Sequence, residues 1–102
     1  MLIGQGKNKP SLAAVRRIKA VVSQALVIET DAIVTVSQLA CLEDGCAPLE
    51  TVIGLLQKDT PQQQYKIHKP TDEITADDLL LVCRAWGYDV QITTINKLFK
   101  EN

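Results

Sequence analysis

The sequence predicts an α+β domain, a three-stranded antiparallel meander with an N-terminal helix and one or two C-terminal helices, in the order α-β-β-β-α-α. Three observations predict it. Apolar residues recur at three- and four-residue steps between positions 12 and 25, three β-rich segments separated by turn chemistry follow between 32 and 69, and a helix start at Thr75 is matched by a stop at Gly87. With 102 residues, 46% of them hydrophobic and 23% charged, the chain has enough apolar surface for one small core and too little length for two.

Met1 to Pro10 reads as a polar arm carrying Gly and Lys, so the domain proper is placed at 11–102. Ser11 follows Pro10 as a helix cap, its hydroxyl able to accept from the free N–H groups of the first turn. The helix is expected to run to about Ile28. Leu12, Val15, Ile18, Val22 and Ala25 fall on one side, with Arg16, Lys19, Ala20 and Ser23 on the other. Glu29 to Asp31 interrupts, and Ala32 to Leu39 alternates as a half-buried strand, Val34 and Val36 opposed to Thr35 and Ser37.

The loop from Cys41 to Pro48 contains the turn dipeptide Asp44-Gly45, and Pro48 ends it. Glu50 to Gln57 is the second strand. Its Val52, Ile53, Leu55 and Leu56 do not alternate, a pattern expected of a central strand covered on both faces by the C-terminal helices or by a second copy of the chain. Gly54 within it marks a close approach of a neighbour. Lys58 to Pro61 reads as a turn and Gln64 to Lys69 as the third strand. Thr75 with Asp78 three residues on resembles a capping box for a helix over Ala76 to Trp86, whose apolar stripe is Leu79, Val82, Cys83 and Trp86 and whose stop is Gly87. Residues 88–101 fit two periods: Ile92, Ile95 and Phe99 a helix, Val90, Ile92 and Thr94 a strand. The helix is the reading adopted.

The net charge of −1 provides no general attraction to a phosphate backbone, and no apolar run approaches the ~20 residues of a membrane span. An apolar signal segment is absent from the first ten residues, so a cytoplasmic protein is expected, with its three cysteines reduced. Charge is nonetheless segregated. Lys7, Lys9, Arg16, Arg17 and Lys19 precede any acid, and Glu29, Asp31, Glu43, Asp44 and Glu50 follow without a base until Lys58. These blocks read as solvated faces or as a polar surface for a protein partner, in which Arg16, Arg17, Glu43 and Asp44 are the candidate residues.

Cys41 and Cys46 stand at C-x4-C spacing with no second cysteine pair to complete a tetrahedral site. His68 and Cys83 are the only further Cys or His residues, so a zinc or iron site would draw on Cys41, Cys46 and His68, with Cys83 as a fourth ligand or simply a core thiol. A reversible Cys41–Cys46 disulfide is the related alternative, but Glu43 and Asp44 between them disfavour the thiolate that such chemistry needs. His68 is the sole histidine and lies between Lys66 and Lys69, so no Ser-His-Asp set exists, and Gly4-Gln-Gly6 lacks the strand and helix of a nucleotide fingerprint. No enzymatic activity is therefore expected. A helix, a turn at Gly87 and the segment Thr93 to Phe99 loosely follow a helix-turn-helix, although the connection is long and Asp77 and Asp78 at the first helix would repel phosphate.

Val36-Ser-Gln-Leu-Ala-Cys41, Gly45-Cys46-Ala-Pro48, Glu50-Thr-Val-Ile53 and Tyr65-Lys-Ile-His-Lys-Pro70 together resemble the shared segments of a small uncharacterised bacterial family with a C-x4-C hairpin loop. The resemblance covers the middle third of the chain. It implies no reaction, cofactor or partner, but it directs attention to the cysteine loop. The functional expectation is a non-enzymatic protein-interaction or accessory module, possible as a homodimer. The alternatives are a metal or thiol protein using Cys41 and Cys46, and DNA binding through the C-terminal helices.

Overall fold

A computed structural model describes residues 11–26, 32–40 and 49–102. The arm at 1–10 and the loop residues Cys41, Glu43, Asp44 and Cys46 lie outside the described residues. The elements are α1 (Leu12–Leu26), β1 (Ile33–Ala40), β2 (Leu49–Gln57), β3 (Thr60–Ile67), a 3-10 turn (Thr71–Glu73), α2 (Ala76–Ala85) and α3 (Ile92–Glu101). The class is α+β, with an antiparallel sheet in the order β1-β2-β3 and two C-terminal helices.

Ser11 caps α1 as its position implies, accepting from the Ala14 N–H at 3.3 Å. The buried face is turned slightly from the expected stripe. Ile18, Val21, Val22 and Leu26 enter the core, Val15 and Ala25 are half-buried and Leu12 is exposed. The α2 start is a complete capping box, with the Thr75 hydroxyl accepting from the Asp78 N–H at 3.3 Å and the Asp78 carboxylate from the Thr75 N–H at 2.9 Å. Its end is a Schellman motif. Gly87 adopts φ 89°, the Gly87 N–H donates to the Arg84 carbonyl and the Tyr88 N–H to the Cys83 carbonyl, both at 3.0 Å. Residues 92–101 are helical, which resolves the ambiguous segment in favour of the 3.6-residue period.

The third strand differs from its expected span. It begins at Thr60, not Gln64, and the turn shrinks to Lys58-Asp59, where Asp59 takes the left-handed φ of 58° that aspartate tolerates. Pro61 does not exclude the strand because β3 is an edge and the ladder slips there: Gln57 faces Thr60 while Leu55 faces Gln63, so two residues of β3 oppose Leu56. The strand ends at Ile67, leaving His68 and Lys69 beyond it.

Of the two covers expected for the second face of the central strand, the C-terminal helices are not found there, because they pack with α1 on the other face. Val34 and Val36 of β1, Thr51, Ile53 and Leu55 of β2, and Tyr65 and Ile67 of β3 share one face by register, and there they join Ile18, Val21, Val22, Leu79, Val82, Cys83, Trp86 and Ile95 in one core. Among the described residues the opposite face carries no helix. Val52 and Leu56 are only half-buried there, and Gly54 is shielded by its strand neighbours. A Cβ at Gly54 would lie 2.5 Å from the Thr35 Oγ1, the close approach expected for that glycine. In a double-mutant cycle, Thr35→Ala is therefore expected to relieve part of the cost of Gly54→Ala, a positive coupling measured by denaturant unfolding; strictly additive effects would contradict the contact.

Candidate functional site

Alternation along the strands decides what the uncovered face displays. From β1 it receives Ile33, Thr35, Ser37 and Leu39, from β2 Glu50, Val52, Gly54 and Leu56, and from β3 Gln64 and Lys66. Ile33 is 56% and Leu39 48% exposed, and a shallow groove is lined by Ser37, Leu39, Val52, Gln64 and Lys66. The face is thus mixed, with Ile33 and Leu39 near the two ends of β1, Val52 and Leu56 on the central strand, and hydroxyl and amide groups on the edge strands.

At one end lies a charged cluster. Glu50 is only 8% exposed although it projects from the face over which no described helix lies. Its carboxylate stands 3.5 Å from the Lys66 Nζ and 3.5 Å from the His68 Nδ1, and both bases are themselves largely exposed. Partial burial of a carboxylate is tolerable only with such partners, so the cluster is internally compensated and presents little net charge outward.

Behind this end, on the core face, a second polar group ties the sheet to α2. The Thr51 hydroxyl donates to the Lys69 carbonyl at 2.8 Å, leaving its oxygen to accept from the Thr71 hydroxyl at 3.1 Å, and the Thr71 N–H donates to the Gln38 side chain at 2.8 Å. The Lys69 Nζ continues to Asp78 at 2.9 Å. For Asp78, partial burial acts to raise the carboxyl pKa, but the Thr75 N–H, the Lys69 ammonium and the Thr75 hydroxyl outweigh it and hold the group below its ordinary 3.8. A carboxyl lowered in the folded state contributes stability above its unfolded value and loses it as pH falls through the folded one. Asp78→Asn is accordingly expected to cost about 1 kcal/mol at neutral pH, with the difference from the parent closing as pH drops below 3.8; a gap that stays constant down the titration would refute the assignment.

The sequence-derived site residues are dispersed. Cys83 is fully buried in the α2 stripe, and desolvation pushes its thiol up to about 11, so it is the core thiol and His68 is a surface group beside Glu50. In a Cys41→Ser, Cys46→Ser background, Cys83 is expected to resist a thiol reagent in the native protein and to react on unfolding. Among the described residues no cluster of three or more His, Cys, Asp or Glu could hold a metal ion. Arg16 and Arg17 are exposed on α1, and Arg17 stacks over the Phe99 ring of α3 at 5.0 Å, which commits one of the two to an internal contact. Thr93, Thr94, Asn96 and Lys97 are exposed on α3, beyond a connection that spans residues 86–91. No helix among the described residues is long and apolar enough to cross a membrane.

Sequence reasoning missed the open face itself. The signal was present in Ile33 and Leu39, which sit on the same parity as Thr35 and Ser37, and in Glu50 at the start of the central strand. In comparisons with family models, curated proteins and solved structures, the chain matches none of them.

Proposed function

We propose that this chain is a non-enzymatic protein-interaction module whose working surface is the uncovered face of the β1-β2-β3 sheet. The observation that carries this reading is the joint exposure of Ile33 and Leu39 on a sheet face over which no described helix lies. Apolar groups spaced between Thr35, Ser37 and Gln64 suit a polypeptide surface of the same mixed character. A polyanion is disfavoured as occupant, because the Lys66 charge is already opposed by Glu50. The test is a photo-crosslinking residue at Gln64 on this face, with the same probe at Thr93 on α3 as reference. A discrete adduct to a protein from Gln64, absent from Thr93 and lost on Val52→Lys with the fold intact, is the expected result. Equal labelling from both positions, or none from Gln64, would overturn the reading.

A second reading, a metal or thiol accessory protein, is favoured by one observation of position. Glu50 and His68 stand at the end of the sheet where β1 stops at Ala40 and β2 starts at Leu49, the strand ends that bracket the C-x4-C segment. It predicts stoichiometric zinc or iron in the untagged protein, lost in the Cys41→Ser, Cys46→Ser double variant and weakened in His68→Ala. Equal metal content in parent and double variant would exclude it.

A further inference from the structure

The two edges of the sheet are built differently. β3 carries two devices that discourage another strand from adding to it: Pro61, which has no N–H to donate, and the bulge opposite Leu56. β1 carries none. Its sequence Ile-Val-Thr-Val-Ser-Gln-Leu-Ala contains no proline, glycine or charge, and all eight residues pair with β2 in unbroken register. Among the described residues it has a strand on one side only. We infer that two copies of this chain pair along the outer edge of β1, antiparallel and centred on Val36, to form one six-stranded sheet.

Symmetry narrows the register. A two-fold axis that sets identical edges antiparallel must stand perpendicular to the sheet, so side chains keep their face and each residue meets a residue of its own parity. Centring on Val36 or on Ser37 keeps most of the strand paired. Only the Val36 centre brings Ile33 opposite the second copy's Leu39, twice by symmetry, with Thr35 opposite Ser37 beside them. These are the two exposed large hydrophobic residues of the described sheet, and neither has another described apolar layer to enter. Because β1 is uncharged throughout, the pairing sets no like charges against each other. The protected β3 edges close the assembly at two copies instead of allowing a filament. Both sets of helices then lie on one side, and the two uncovered faces join into one surface of double width.

This inference rests on the interaction-module reading and specifies its assembly. The decisive experiment is native mass spectrometry with sedimentation of the untagged full chain and three variants. The parent is expected at twice its 11.2 kDa mass. Ile33→Lys with Leu39→Lys sets lysine against lysine across the axis and is expected to weaken the dimer about tenfold or more, with Trp86 fluorescence unchanged as evidence of an intact fold. Ile33→Lys with Leu39→Glu sets opposite charges in those same pairs and restores it, whereas Leu12→Lys on α1 changes nothing. A monomeric parent, or a dimer indifferent to the paired lysines, overturns the β1 interface. Because Gln64 lies on β3, its crosslinking pattern reports on the docking face independently, so failure of the dimer and failure of the module reading give different results.

Discussion

Ile95→Ala is expected to lower the stability of the domain by about 2–5 kcal/mol, a large share of the roughly 5–15 kcal/mol typical of small domains. Ile95 is the one fully buried residue of α3, completely excluded from solvent, and α3 packs on α1 and α2. The first helical turn has no side-chain cap at Gln91, and the surrounding Thr93, Thr94, Asn96 and Lys97 are exposed, so little besides this side chain fixes the helix. Leu98 and Phe99 add partly buried area, and the Arg17 contact with Phe99 contributes at the margin. Truncation leaves a void bounded by two other helices that cannot collapse without moving together. Equilibrium denaturation followed by the single tryptophan, Trp86, which is buried in the same core, reads the effect directly. A loss below about 1 kcal/mol would show that α3 is held by something other than Ile95.

Thr51→Val is expected to cost about 2–3 kcal/mol despite its nearly unchanged shape. Thr51 and Thr71 are both buried, and the single Thr51 hydroxyl serves two partners, donating to the Lys69 carbonyl and accepting from Thr71. Valine removes both bonds at once. It leaves a carbonyl without its donor and a buried hydroxyl without its acceptor, and an unsatisfied buried group costs more than a made bond contributes. Adding Thr71→Val removes one of the orphaned groups, so the double variant is expected to lose less than the sum of the two single losses and to lie closer to Thr51→Val alone. Additive losses would mean that the two hydroxyls act separately.

The helix ends were legible because their chemistry is local. Thr75 and Asp78 lie three residues apart and make the capping box by themselves, and Gly87 alone supplies the left-handed position that closes α2. The β1 strand was equally plain from the alternation of Val34 and Val36 with Thr35 and Ser37. Pro61 misled because its meaning depends on whether its strand is an edge, a property of the assembled sheet and not of the segment. The cover of the central strand was hard to read for a related reason. Ile53 and Leu55 are buried by helices, while Val52 and Leu56 are half-sheltered by neighbours on the same face, and a run of apolar letters does not separate these two kinds of cover. Of the candidate site, His68 was named without Glu50, since their proximity exists only after the register of β2 and β3 is set.

The pairing of α1 with α3 has a consequence for the order in which the protein is made. The meander closes through hairpin contacts between strands adjacent in the chain, so the sheet draws on nothing beyond Ile67. The first helix, in contrast, finds one of its principal neighbours only in α3, where Ile95 and Phe99 reside. A chain built only as far as Gly87 lacks part of the cover of Ile18, Val21 and Val22 on α1, and that apolar surface is open to other chains until α3 docks.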